Sequence, residues 1–439
     1  MIYRLFFRLI LRHIDAETAH TLATVAVGVP SRIPAIRAVL RRLLGPRDPV
    51  LRVQALGMTF PSPLGVAAGM DKNATWFEGL GAIGFGFVEV GTVTAHAQAG
   101  NDRPRIERFI ADRALINWMG FPNKGADAAA TRLRSRHRGE TIVGVNLGKS
   151  KSTPFEQAAG DYRYSIRRLV ELSDYVVLNV SSPNTPGLRG MQASEHLQHL
   201  VAEVRAELRA AEMDAPLLVK IGPDLSDEEL DEIADVSVAL ELDGLIAVNT
   251  TVDRGGLISK HLDRAAPAGV SGAPLKPRAV EVLRRLRARV GDSLVLVAVG
   301  GIENAEDAWE RILAGATLVQ AYSGFVYGGP LWPHRTNRDL ARLVRGSGGS
   351  SVAAMVGAGT VSDDPPAEPR ANGSTALGFS RTPALTRTST PRAGDTPLAH
   401  SWHSAARFVP VATPVPLTGP AAKDRTGSAT AAFRADRWS

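Results

Sequence analysis

Eight short runs of aliphatic and β-branched residues, each followed by a longer stretch with helical spacing, constrain this chain more than any other feature. They fall at 64–68, 87–93, 142–147, 175–180, 217–221, 244–249, 294–299 and 318–322. The runs are almost continuously apolar, as strands of a parallel sheet covered on both faces must be. Eight such units over about 280 residues predict an α/β fold of the closed (β/α)8 barrel type rather than an open doubly wound sheet.

The pattern does not fill the 439 residues. Three segments are expected: a helical domain over 1–50, the barrel over 51–345, and a tail over 346–439. After Arg345 the sequence turns to GSGGSS and then to Ala, Thr, Pro, Ser, Gly and Arg without period. That composition buries too little apolar surface to offset chain entropy, so the tail is expected to be disordered.

In residues 1–14, Ile2, Leu5, Phe6, Leu9 and Ile10 share a helical face while Arg4, Arg8 and Arg12 recur at i, i+4 and i+8. An apolar helix with a cationic stripe suits an anionic lipid interface, and its arginines interrupt any run long enough to span a bilayer. Asp15 caps a second helix running toward Gly28, and Pro34 opens a third that ends before Gly45. The net charge of +7 is concentrated here: residues 1–52 hold nine Arg against Asp15, Glu17 and Asp48, and the body is nearly neutral. Nucleic acid is therefore not an expected partner. With no Cys in the chain, disulfides, thiolate metal sites and thiol nucleophiles are excluded, and no metal is expected.

Barrels of this kind carry their chemistry at the C-terminal ends of the strands. Those ends read Ala68-Gly69-Met70-Asp71-Lys72, Gly91-Thr92, Asn146-Leu147-Gly148-Lys149, Asn179 to Gly187, Lys220, Asn249-Thr250-Thr251, Gly300-Gly301 and Tyr322-Ser323-Gly324. Singly, an Asn or Ser after a strand caps the next helix and a Gly pair makes a turn. Their convergence on one face points to a site. Gly300-Gly301 and Ser323-Gly324 follow the last two strands, where a phosphate is commonly held. On that basis a flavin, pyridoxal phosphate or a phosphosugar all remain open, and Lys220 is either a Schiff-base lysine or a charge that stabilises an anion.

The run Asn179-Val-Ser-Ser-Pro-Asn-Thr-Pro-Gly-Leu-Arg189 resembles the catalytic loop of quinone-dependent (class 2) dihydroorotate dehydrogenases. Ala68 to Lys72, Asn117-Trp-Met-Gly-Phe121, Val248-Asn-Thr-Thr251 and Val299-Gly-Gly-Ile302 match the same family in order and spacing, over residues 1–340. The resemblance implies oxidation of dihydroorotate to orotate through FMN, one per chain, with electrons passed to a membrane quinone in pyrimidine biosynthesis. It implies FMN contacts at Ala68, Gly69, Thr92, Asn146, Asn179, Lys220, Val248, Gly272, Gly301, Tyr322 and Ser323. The pyrimidine would be held by Lys72, Asn117 and its neighbours Trp118, Met119, Gly120 and Phe121, with Asn179, Asn184, Asn249 and Thr250. Ser182 would be the base, Thr185 its relay and Lys220 the electrostatic partner, with His20 and Arg108 at the quinone head group. Val248 departs from the family, whose members often carry Thr there. The expected location is peripheral, on the cytoplasmic face of a bacterial cell membrane. Two other readings are a flavin-dependent 2-hydroxy-acid oxidase or IMP dehydrogenase-like barrel, the latter needing a Cys this chain lacks, and a non-catalytic barrel anchored as a scaffold.

Overall fold

A computed structural model describes residues 2–259 and 268–359. Eight parallel strands close a barrel in chain order, the last pairing with the first. They are β1 (Leu64–Asp71), β2 (Phe87–Thr94), β3 (Ile142–Gly148), β4 (Tyr175–Asn179), β5 (Leu217–Ile221), β6 (Gly244–Ala247), β7 (Val295–Val299) and β8 (Leu318–Ala321). Each coincides with an expected run to within three residues at either end. The near-continuous burial behind that agreement is plainest in β2, where all eight residues are buried. Small residues admit large ones inside the barrel: a Cβ on Gly65 or Gly144 would lie within 2.4 Å of the Phe87 ring or 2.0 Å of the Tyr175 ring.

Three helices precede the barrel: α1 (Ile2–Leu9), α2 (Ala16–Ser31) and α3 (Pro34–Leu44). Asp15 caps α2 by accepting the Thr18 N–H at 2.8 Å, and Pro34 stands in the first turn of α3, as read from the sequence. Gly28 does not end α2. It is a contact residue, since a Cβ there would sit 2.8 Å from Cβ of Trp76, and the helix runs on to Ser31. The buried Arg37 ties α3 to the barrel through Glu140 at 2.8 Å and Glu78 at 3.0 Å, and to α2 through the Ser31 carbonyl at 2.9 Å.

On α1, Phe7 and Tyr3 face the barrel: Phe7 lies edge-on to Tyr327 at 5.5 Å and the Tyr3 hydroxyl donates to the Val326 carbonyl at 2.7 Å. Leu5, Phe6, Leu9 and Ile10 are exposed, as are Leu22, Val25 and Val29 on α2 and Ile36, Val39 and Leu43 on α3. The apolar face therefore extends well beyond the first fourteen residues. Among the described residues no single helix is long and apolar enough to cross a membrane; α2 and α3 meet at 106°.

Besides a short antiparallel pair of Val53–Ala55 with Met58–Phe60 ahead of the barrel, two features escaped the sequence pattern. A three-stranded antiparallel sheet, formed by Ile106–Phe109, Ala114–Asn117 and Gly269–Gly272, stands beside the barrel mouth. The other corrects the boundary of the tail. Residues 347–359 pack on the barrel, with Val352 1% exposed and its N–H donating to the Val50 carbonyl at 2.7 Å. Gly357 and Gly359 donate to Ile312 and Leu313 at 3.0 Å. One of the glycines that suggested disorder serves close approach, a Cβ on Gly349 meeting Met355 Sδ at 2.9 Å. The remainder of the expected tail, 360–439, lies outside the described residues.

Candidate active site

The C-terminal ends of the strands surround a cavity walled by both polar and apolar residues. Most of the residues selected from the sequence line it: Ala68 and Gly69 on β1 and Lys72 after it, Thr92 on β2, Asn179 at the end of β4 with Ser182 and Asn184 beyond, and Lys220 on β5. Val248, Asn249 and Thr250 after β6, Gly301 after β7, and Tyr322 and Ser323 after β8 complete the wall, with Asn117, Met119, Gly120, Phe121 and Gly272 from the flanking sheet and loops.

Side-chain amides and hydroxyls fix one another across the strand ends. Thr92 donates to Asn146 Oδ1 at 2.6 Å, and Asn179 Nδ2 donates to Thr92 Oγ1 at 2.9 Å and to Asn146 Oδ1 at 3.2 Å. Ser181 Oγ donates to Asn179 Oδ1 at 3.1 Å and accepts from Asn249 Nδ2 at 3.0 Å. Four strands are thereby locked at the level where a ligand would sit. Such a fully partnered buried network holds its members in one arrangement.

Opposite this network, Asn184 Nδ2 donates to Asn117 Oδ1 at 3.1 Å. Asn184 Oδ1 is buried without a protein partner among the described residues, an acceptor suited to a ligand N–H. The Lys72 Nζ donates to the Gly69 carbonyl at 2.5 Å. Burial pulls the Lys72 ammonium down to about 8, with Glu17 and Asp71 pushing it up and Arg105 pulling it down. Lys220 is likewise pulled below its ordinary value by burial, against the upward push of Glu89.

At the β7 and β8 ends the backbone makes a cradle. Gly300 and Gly301 have φ of +118° and +72°, and a Cβ on Gly301 would lie 2.7 Å from Cα of Lys276. Gly272, at φ +99°, would clash with the Arg113 carbonyl at 2.3 Å. Only glycine tolerates both the conformation and the crowding. Ser323 Oγ shares a 2.9 Å hydrogen bond with Ser271 Oγ at the same edge. A chain-formed cradle of this kind fits a phosphate group on a cofactor.

Five selected residues stand off the cavity wall. Asn146 is fully buried behind Thr92 and Asn179, and Thr185 is 3% exposed with its hydroxyl unpartnered. Trp118 packs with Ala114, Ile116, Ala268 and Val270 in a separate cluster. Arg108 lies where α1 meets the flanking sheet, its guanidinium donating to the Ile14 carbonyl and lying 6.0 Å from the Phe7 ring. His20 instead lines a second, polar cleft with Glu17, Lys72, Trp76 and Arg105, edge-on to Trp76 at 5.8 Å. Burial, then the neighbouring Lys72, pulls the His20 imidazole down to about 4.

Sequence reasoning missed Ser271, Gln320 and Glu89. Gln320 lines the cavity and Glu89 lies fully buried near it. Two of them carried a signal: Glu89 is the only charged residue of its strand and Gln320 the only polar residue of its own.

The family model described as dihydroorotate dehydrogenase matches residues 50–344. A dihydroorotate dehydrogenase (quinone) of Thermobifida fusca is 54% identical over 375 residues, covering 84% of this chain and 99% of the relative. One of Mycobacterium tuberculosis is 53% identical over 344 residues, covering 78% and 95%. Among solved structures, DHODH from Eimeria tenella in complex with ferulenol is similar with a TM-score of 0.72 and 34% identity, covering 82% of this chain and 99% of that one.

Proposed function

The chain belongs to the quinone-linked dihydroorotate dehydrogenases, flavin enzymes that oxidise dihydroorotate to orotate for pyrimidine synthesis and pass the electrons to quinone, and from that premise we propose how its residues divide the work. The flavin is FMN. Its phosphate would be held by Gly272, Gly301 and Ser323, and its ring by Ala68, Gly69, Thr92, Asn179, Lys220, Val248 and Tyr322, with Asn146 orienting Thr92 and Asn179 from behind the wall. The Val248 N–H is already committed to the Val299 carbonyl at 2.9 Å, so its part is apolar or through its carbonyl. When bound, FMN supplies a two-electron acceptor for the substrate hydride.

The observation that carries this reading is the pairing, within one cavity, of the glycine cradle with a wall of Asn117, Asn184, Asn249 and Lys72. Amides match the edges of a pyrimidine, and Lys72 matches its carboxylate. Ser182, 4% exposed on the same wall, is the base for the C5 proton; Thr185 is the hydroxyl proposed to carry that proton onward. Lys220 contributes positive charge where the hydride lands.

The quinone would approach along the apolar face of α1 to α3, passing Arg108 and the adjoining Phe7 and Tyr327, with His20 on the far side of α2. The exposed apolar residues, with exposed Arg8, Arg12, Arg32 and Arg42 among them, support docking on an anionic lipid surface at the cytoplasmic side of the membrane. The test is direct. Purified protein should show a flavin absorption band, release FMN on denaturation, and bleach anaerobically with dihydroorotate. Protein that is colourless and cannot be reconstituted with FMN refutes the assignment.

A further inference from the structure

We propose that Glu89 is a positioning residue for the hydride step: from beneath the cavity floor it holds Lys220 in place as an ammonium and so sets how readily the cofactor accepts a hydride. The inference rests on the proposed FMN site. Glu89 is on β2 with 0% exposure, and its carboxylate is bonded to two residues of the site and lies beside a third. Its Oε1 accepts from Asn146 Nδ2 at 2.8 Å and lies 3.9 Å from Lys220 Nζ. Oε2 accepts from Gln320 Nε2 at 2.6 Å. Asn146 leads from there to Thr92 and Asn179, so the carboxylate anchors the network that faces the ligand.

A carboxylate buried without solvent is costly unless a cation and donors compensate it, and a buried lysine stripped of its counterion drops by several pH units and loses its proton. Glu89 and Lys220 therefore sustain each other's charge. Tyr175, also close to Glu89, is pushed well above its ordinary value by burial and then by Glu89, and stays neutral. The order of the two charges matters. Lys220 lines the cavity while Glu89 lies behind it, so a ligand gaining negative charge meets the cation first. Each hydride taken up brings two electrons and one proton and leaves one negative charge on the acceptor, which the Lys220 ammonium balances.

Glu89→Gln tests the idea with little change of shape. Gln320 Oε1 is buried without a partner, so turning that carboxamide lets it accept from the introduced amide. In the flavin-loaded variant Lys220 becomes neutral and must acquire a proton on each reduction. The flavin midpoint potential, measured by anaerobic spectral titration against reference dyes, should then fall at pH 8 by about 30 to 60 mV, a ten- to hundredfold change in the reduced-to-oxidised ratio, and its dependence on pH should steepen by about 30 mV per unit. Glu89→Asp, with a retracted carboxylate, should fall between. The unaltered holoenzyme gives a second reading: with Lys220 charged in both states, its potential falls by about 30 mV per pH unit between pH 6.5 and 9 without a break. An unchanged potential and slope in Glu89→Gln, or a break in the wild-type line, overturns the proposal. Lys220→Met separates the two claims, because an unchanged potential there would mean that the flavin is not beside Lys220 at all.

Discussion

The backbone N–H of Asn184 donates to Ser182 Oγ at 3.3 Å, leaving the Ser182 hydroxyl proton uncommitted on the cavity wall. A donor aimed at the oxygen favours the ionised form that a serine base needs. Ser182→Ala should retain FMN but slow anaerobic flavin reduction by about 10²- to 10⁴-fold, the usual contribution of a positioned base. Ser182→Cys should recover part of it, since a thiol ionises more easily. Stopped-flow bleaching at saturating dihydroorotate reads both; reduction by Ser182→Ala at the wild-type rate would remove Ser182 from the mechanism.

Ser181 is the neighbouring comparison. Its side chain points away from the cavity, into hydrogen bonds with Asn179 and Asn249. Ser181→Ala should raise KM for dihydroorotate several-fold by loosening Asn249, while the reduction rate at saturation changes by much less than for Ser182→Ala. A loss confined to that saturating rate would show that the two serines have been assigned the wrong way round.

On the proposed assignment of the site, Lys72 supplies the pH dependence of substrate capture. Its ammonium is held down to about 8, so the charge that meets the substrate carboxylate is present below that pH and lost above it. KM for dihydroorotate should be flat from pH 6 to 7.5 and rise toward tenfold per unit above 8. Lys72→Arg, which stays charged throughout, should flatten the rise. A wild-type KM constant to pH 9.5 contradicts the assignment.

His20 makes a stability prediction of the opposite sign. Its pKa is about 4 when folded against an ordinary 6.5, so the unfolded chain takes the proton first. Stability is therefore whole above pH 6.5 and declines as the pH falls toward 4, by at most about 3 kcal/mol. Urea midpoints of His20→Gln should fall less steeply than wild type across that window, and parallel curves would argue against a buried neutral imidazole.

Two truncations separate the packed terminus from the residues beyond it. Ending the chain at 359 should leave flavin content and turnover unchanged. Ending it at 346 removes Val352 from its contact with Val50 and should lower thermal stability by about 2 kcal/mol or more, as loss of a buried aliphatic side chain does. Equal melting temperatures for the two would show that 347–359 contributes nothing.

The barrel was legible because both faces of its strands are buried, which writes each as an unbroken apolar run. Loop residues such as Asn184 and Gly301 were legible through motif and strand-end position together. The antiparallel sheet was not, because Ile106–Phe109 is half-buried throughout and has neither a continuous run nor clean alternation. The packed terminus was hidden by composition: Val352, Met355 and Val356 are three large apolar residues among glycines, serines and alanines, too few to outweigh their setting. His20 and Arg108 could be chosen from the sequence only by resemblance, because what distinguishes them is where α1 and α2 lie on the barrel.

If the exposed apolar residues of α1, α2 and α3 dock on lipid as proposed, they also determine which concentration governs turnover. Dihydroorotate arrives from a volume, but a quinone reached through a lipid-facing surface arrives from a plane. On the proposed docking, the second half-reaction depends on moles of quinone per mole of lipid, and added quinone-free vesicles slow turnover by thinning the acceptor across a larger area, while flavin reduction by dihydroorotate is indifferent to them.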